Sequence, residues 1–106
     1  MKKDKKFKVA TQLKILVSVT NEYWDYITTI KHPHIRSKEN EIINTLKNPE
    51  IIRQSKRDKN VYLFYRKTIY YSKQYYLCVI INKEKGFVIT AYITDKIKEG
   101  EEIWKK

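Results

Sequence analysis

The length, composition and charge of this chain indicate one small, basic domain. It has 106 residues, of which 42% are hydrophobic and 33% charged, and this balance argues against wholesale disorder. Lys and Arg number 23 against 12 Asp and Glu, which gives a formal net charge of +11, and nine tyrosines accompany them. This mixture favours a polyanionic partner, because cations meet phosphates and aromatic rings stack on bases.

The apolar segments set further limits on where the protein works. The longest of them, such as residues 75–81, are far too short to span a bilayer. The basic N-terminus is not followed by an uninterrupted apolar segment with a cleavage site, so we expect no signal peptide and no membrane partner. The lone Cys78 lies in an apolar run and is expected to be a core residue. A reducing, cytoplasmic location is the resulting expectation.

The first half of the chain carries helical signals. Residues 1–8 hold five lysines, and we expect a mobile basic arm there, within a single domain that spans residues 1–106. Residues 13–19 are predicted to be a short strand. Apolar residues at helical spacing predict a helix over residues 21–31, capped by Asn21 and ended by Pro33. A second helix is predicted over residues 38–47, with Ser37 as its cap and with an inward stripe formed by Ile42, Ile43 and Leu46.

The second half changes to the period of strands. Strand patterns cover residues 50–55, 61–71, 75–82 and 87–94, and short turns separate them. Consecutive short turns predict an antiparallel meander. The expected fold class is therefore α+β, with N-terminal helices packed on one face of a four-stranded antiparallel sheet and the other face free to bind a partner.

Residues 87–94 predict a strand with one apolar face and one hydroxyl-bearing face. Phe87, Ile89, Ala91 and Ile93 form the apolar row, whereas Thr90 and Tyr92 point the other way. By polarity, alternate residues of the strand at 61–71, including Arg66, are assigned to the face of Thr90 and Tyr92. A register shift of one residue would reverse this assignment.

The residue types favour RNA cleavage without a cofactor. No glycine-rich phosphate loop is present, and one Cys with two His falls short of a zinc ligand set. Cleavage through the 2′-hydroxyl of RNA needs a base, an acid and positive charge at the phosphate, which His, Arg, Lys, Tyr and Thr supply. Each candidate also has a structural alternative: His32 as a turn residue, Arg66 as a surface residue, Thr90 as a strand former and Tyr92 as a packing residue.

Five segments, in order, resemble a known family. They are "HP" (32–33), "TLKNPEII" (45–52), "YLFYR" (62–66), "VITAYIT" (88–94) and "IKEGEEIW" (97–104). Over residues 15–104 the chain resembles small phage- and toxin-associated members of the barnase, EndoU, colicin and RelE-like (BECR) nuclease superfamily. The resemblance implies the same α+β fold and metal-independent RNA cleavage to a 2′,3′-cyclic phosphate and a 5′-hydroxyl. It also implies a toxin that is held inactive by a cognate antitoxin.

The resemblance assigns roles to particular residues. It implies that His32 is a general acid or base, that Arg66 clamps the phosphate, and that Thr90 and Tyr92 position it. Whether His34 shares the proton transfer is left open, and Lys67 or Lys83 are alternative acid-base partners. The expected RNA-contacting cations are Lys67, Lys83, Lys96 and Lys98.

A different class of function also fits these residues. The same tyrosines and lysines suit a noncatalytic nucleic-acid-binding module that stacks bases and contacts phosphates. Such a module would bind RNA with steep salt dependence and release no product. A partner-binding protein with incidental charge would show no RNA affinity at moderate salt.

Overall fold

One sheet dominates the structure. A computed structural model describes residues 4–97 and 100–106, and within these ranges the strands form a single seven-stranded sheet. The order across the sheet is β1-β2-β6-β5-β4-β3-β7, and neighbours are antiparallel except β2 and β6, which run parallel. The strands are β1 (Lys5–Ala10), β2 (Leu16–Thr20), β3 (Ile51–Gln54), β4 (Val61–Tyr70), β5 (Lys73–Asn82), β6 (Phe87–Thr94) and β7 (Glu101–Lys105).

The predicted four-stranded antiparallel sheet with N-terminal helices is wrong, because strands at both sides extend it. β1 takes up residues 5–8 of the predicted basic arm, whose residues 1–3 lie outside the described residues. Phe7 and Val9 of β1 are buried, whereas the lysines that alternate with them are exposed. An edge strand that buries only one face forms when apolar residues alternate with polar ones, as they do here. At the other edge, β7 pairs with β3 and packs Trp104 on the core. The parallel contact between Ser18 and Phe87 makes the sheet mixed.

Two short helices occupy the described chain, α1 (Asn21–Tyr26) and α2 (Glu39–Lys47). Thr20, rather than the predicted Asn21, caps α1, since its Oγ1 accepts a 3.1 Å hydrogen bond from the N–H of Tyr23. α2 follows Lys38 without the predicted cap from Ser37. No helix among the described residues is long and apolar enough to cross a membrane.

The main core lies between the helices and one side of the sheet, which we call the helix face. Ile42 and Leu46 of α2 are fully buried there, as predicted, against Phe64 of β4 and Val79 of β5. Burial of these side chains is the main stabilising contribution to this layer.

The face assignment of β6 is altered by a β-bulge. The register with β5 shifts between Ile80 and Ile81, so one residue of β6 is left over. As a result Val88, with Ala91 and Ile93, reaches the main core, whereas Phe87 and Ile89 are only half-buried. The predicted apolar row is therefore wrong at its first two positions.

The opposite side of the sheet, which we call the crossover face, is partly covered. Ile97, in the connection that follows β6, packs against a second buried cluster made by Ile51, Leu63, Tyr65 and Cys78. Cys78 is fully buried, which confirms its predicted core position. This face is therefore not the free binding surface that the sequence predicts.

Candidate active site

His32 lies at a sharp break in the chain. α1 continues into a wider π-helical turn, Ile27–Lys31, and a 3₁₀ turn, Pro33–Ile35, follows. His32 leaves the helical conformation (φ −142°, ψ 75°), as expected for a residue before proline. Its N–H still donates a 2.7 Å hydrogen bond to the carbonyl of Ile27. The end of the π-helical turn and the start of the 3₁₀ turn thus place the rings of His32 and His34 close to each other, on either side of Pro33.

Six rings form a continuous row at this end of the sheet, which we call the imidazole-tyrosine row. The centroid of His32 lies 5.7 Å from that of Tyr92 and 5.8 Å from that of His34. His34 lies 6.0 Å from Tyr70, which in turn contacts Tyr71 at 4.5 Å and Tyr75 at 5.8 Å. The row therefore runs from β6, across the 3₁₀ turn, to the turn that joins β4 and β5. Its members are Tyr92, His32, His34, Tyr70, Tyr71 and Tyr75.

The imidazoles of the row are accessible and differ in environment. His34 is exposed, whereas His32 is half-buried. Burial lowers the pKa of His32 below its usual value, and the charges of His34 and Lys31 lower it further. A lowered pKa keeps His32 neutral near pH 7, so this imidazole is able to accept a proton.

Exposed cations flank the row. Lys31 and Arg36 bracket the histidines along the chain, and Lys73 follows the β4–β5 turn. Arg36 donates a 2.7 Å hydrogen bond to Oγ1 of Thr29, which orients its guanidinium beside the turn. Within residues 4–97 and 100–106, no three His, Cys, Asp or Glu side chains are grouped to hold a metal ion. The row is thus a cationic, aromatic surface.

The predicted hydroxyl-bearing face is not displayed as expected, because Thr90 is buried and Tyr92 is half-buried. Tyr92 lies on the crossover face, where burial and the neighbouring Cys78 and Tyr65 raise its pKa far above the usual range. Thr90 is only 8% exposed, and its Oγ1 has no hydrogen-bond partner among the described residues. Of the two residues, Tyr92 contacts His32, and it does so through its ring.

Arg66 lies on the other side of the sheet from Thr90 and Tyr92. It shares the helix face with Phe64, two residues earlier on β4, and its Nη1 donates a 2.6 Å hydrogen bond to the carbonyl of Asn48. The predicted convergence of His32, Arg66 and Thr90 is therefore wrong. Polarity did not predict the face of Arg66 correctly, because the adjacent Arg66 and Lys67 place charged side chains on both faces of β4.

The predicted RNA-contacting lysines lie in separate places. Lys67 is 3.7 Å from the carboxylate of Glu50. Lys83 lies over the ring of Tyr62, 5.2 Å from its centroid, near the end of β4 opposite to Tyr70. Lys96 lines a cavity of about 590 Å³ on the crossover face. Lys98 lies outside the described residues, so its predicted role stays a prediction.

The sequence carries signals for the residues that prediction missed. His34, Tyr70, Tyr71 and Tyr75 all belong to the row, although none was assigned a role. "HPH" places two imidazoles on either side of a proline that starts a tight turn, and "YYSKQYY" places tyrosine pairs on both sides of a hairpin turn. Tyrosines near a hairpin turn are close in space when they share a face, as Tyr70 and Tyr75 do, and two histidines separated by a single proline are close through the chain itself.

Comparison of the chain with protein-family models, with curated proteins and with solved structures finds no match in any of the three.

Proposed function

We propose that this protein is a metal-independent endoribonuclease that cleaves RNA through attack of the 2′-hydroxyl. The observation that carries the proposal is the pair His32 and His34, whose ring centroids lie 5.8 Å apart on a protein with a net charge of +11. This reaction needs one group to accept a proton and another to donate one at the same phosphate. Two imidazoles at this spacing are able to contact a single phosphate group.

His32 acts as the base and His34 as the acid. Neutral His32 accepts the proton of the 2′-hydroxyl as its oxygen bonds to phosphorus, and His34 gives a proton to the leaving 5′-oxygen as the P–O bond breaks. Lys31 and Arg36 offset the charge that builds up on the phosphorane. The products are a 2′,3′-cyclic phosphate and a 5′-hydroxyl. The nucleophile belongs to the substrate, so the reaction needs no metal-bound water.

Cleavage of single-stranded RNA in excess EDTA tests the proposal. We expect wild-type protein to release fragments that end in 2′,3′-cyclic phosphate, and His32→Ala or His34→Ala to reduce the rate by about 10²–10⁴-fold. Lys85→Ala is the matched control, because it removes an exposed cation from the β5–β6 turn, at the opposite end of β5 from Tyr75. Intact RNA with the wild-type protein, or cleavage at the wild-type rate by either histidine variant, would overturn the assignment.

A noncatalytic RNA-binding module is the second candidate. The exposed Tyr71 and the partly exposed Tyr70 and Tyr75 favour it, because base stacking on aromatic rings binds single strands without any chemistry. This candidate predicts affinity that falls steeply with salt and the same affinity in His32→Ala and wild type, without product. The cleavage assay with a parallel binding titration separates the two functions.

We further propose that the protein acts as a toxin with a cognate antitoxin. Unrestrained RNA cleavage harms the cell that makes the enzyme, and an acidic inhibitor would complement the +11 charge. The resemblance to the barnase, EndoU, colicin and RelE-like nucleases supports the same chemistry, although the seven-stranded sheet differs from the architecture it implies. Expression should arrest growth, and expression of His32→Ala should not.

A further inference from the structure

The turn between β4 and β5 holds a large side chain in a backbone conformation that such residues avoid. Tyr70 pairs with Lys73, which leaves Tyr71 and Ser72 as a two-residue loop. Their φ angles are 50° and 61°, both positive as a type I′ turn requires. Asn-Gly is favoured in this turn because both residues adopt positive φ at low cost, whereas a bulky residue is an outlier.

Packing within the protein does not account for Tyr71. Its side chain is 83% exposed, so its burial adds little to stability. Its ring lies 4.5 Å from that of Tyr70, and Tyr70 lies 6.0 Å from His34. Tyr71 is thus the outermost ring at the hairpin end of the imidazole-tyrosine row. A strained and exposed ring at the end of a row of rings indicates selection for contact with a ligand.

We propose that Tyr71 stacks on a nucleobase next to the scissile phosphate and gives the site its preference for unpaired RNA. This inference rests on the proposed function, since it names the substrate of the same site. The hairpin tip leaves the ring 83% exposed, with Tyr70 against one side of it and the rest open to a flat ligand. A base in a single strand has a free face for such stacking, whereas a base within a duplex is already stacked. Lys73 provides a cation for the adjoining phosphate.

The sharpest test replaces the strained loop by a favoured one. Tyr71→Asn with Ser72→Gly retains the hairpin, so we expect a higher midpoint of thermal unfolding together with about 10-fold weaker binding to single-stranded RNA. The probe is a short 2′-O-methyl RNA that contains 2-aminopurine, because it resists cleavage and its fluorescence is quenched on stacking. Tyr71→Phe retains the ring and should bind as wild type does.

Lys14→Asn is the control for stabilisation alone. Lys14 also has a positive φ of 64°, but it lies in the loop between β1 and β2. This variant should raise stability and retain the quenching of 2-aminopurine, apart from the small effect of one lost charge. Loss of quenching in Lys14→Asn to the same degree as in the Asn-Gly variant would overturn the assignment to Tyr71.

The outcomes separate this inference from the proposed function. If wild type cleaves RNA but the Asn-Gly variant binds and quenches equally well, the role of Tyr71 is overturned and the nuclease stands. If wild type neither binds nor cleaves RNA, both proposals fall. When the probe is annealed to its complement, wild type and variant should bind alike. A 10-fold difference that persists on the duplex would overturn the preference for unpaired RNA.

Discussion

The rings of His32 and Tyr92 lie 5.7 Å apart and are tilted by 34°, which joins the break after the π-helical turn to the last residues of β6. The hydroxyl end of Tyr92 is engaged with Cys78 and Tyr65 on the crossover face. Tyr92 is therefore anchored at one end and supports the imidazole through its ring. In the proposed site, this relationship would make Tyr92 a positioning residue for His32 rather than a donor to phosphate.

Substitutions of Tyr92 separate ring support from hydroxyl chemistry. Tyr92→Phe retains the ring, so RNA cleavage should stay within about twofold of wild type, whereas Tyr92→Ala removes the support and should lower kcat by about 10-fold or more. Steady-state kinetics on a short RNA measures both effects. A loss of activity in Tyr92→Phe as large as in Tyr92→Ala would contradict support of His32 through the ring alone.

The pKa of His32 sets the acid limb of the pH-rate profile. Burial and the charges of His34 and Lys31 lower this pKa. If His32 is the base, kcat/KM for RNA cleavage should therefore fall as the pH is lowered, with a midpoint below the usual 6.5. Lys31→Gln removes one repelling charge and should move the midpoint upward. The folded protein also binds this proton less readily than the unfolded chain, so the His32 contribution lowers stability as the pH falls below 6.5. An acid limb that Lys31→Gln leaves unchanged would contradict the assignment.

Thr90→Val tests whether the buried hydroxyl has a role in catalysis. Thr90 is 8% exposed and its Oγ1 lacks a partner among the described residues, so the nearly isosteric Val should leave the free energy of unfolding unchanged or raise it by about 1 kcal/mol. Cleavage should be unaffected. Chemical denaturation measures the change in stability, and the RNA assay measures cleavage. Loss of cleavage with retained stability would show that the Thr90 hydroxyl takes part in catalysis.

Arg66→Ala tests a structural role for the arginine. Its 2.6 Å hydrogen bond to the carbonyl of Asn48 ties β4 to the end of α2, and its loss should cost about 1 kcal/mol of unfolding free energy. Because the guanidinium is engaged at the end of α2, four residues before Tyr70 along β4, cleavage under native conditions should change little. A fall of about 100-fold in cleavage, without a change in stability, would identify it as a phosphate clamp.

Local patterns in the sequence predict single elements well and their arrangement poorly. β6 has its predicted bounds, Phe87–Thr94, because alternating residues end at turn residues on both sides. The faces of β6 are not predicted, since the bulge near Ile80 depends on the pairing with β5. β1 is missed because its lysines resemble a solvated arm until its pairing with β2 is known.

The candidate site is predicted in part, for similar reasons. His32 and Tyr92 are close together in the structure, as the prediction requires, whereas Arg66 and Thr90 lie apart because one strand was assigned to the wrong face. His34 depends on the 3₁₀ turn that begins at Pro33, and periodicity alone does not reveal such a turn.

The central claim is that the two imidazoles cleave RNA through its own 2′-hydroxyl, and an oligonucleotide with one ribonucleotide in a DNA strand tests it most directly. Incubated with wild-type protein in EDTA and analysed by mass spectrometry, it should be cut only after the ribonucleotide, leaving a 2′,3′-cyclic phosphate. The variant with both His32→Ala and His34→Ala should leave it intact. Cleavage of the all-DNA strand, cleavage by the double variant at the wild-type rate, or no cleavage by wild type would contradict the claim.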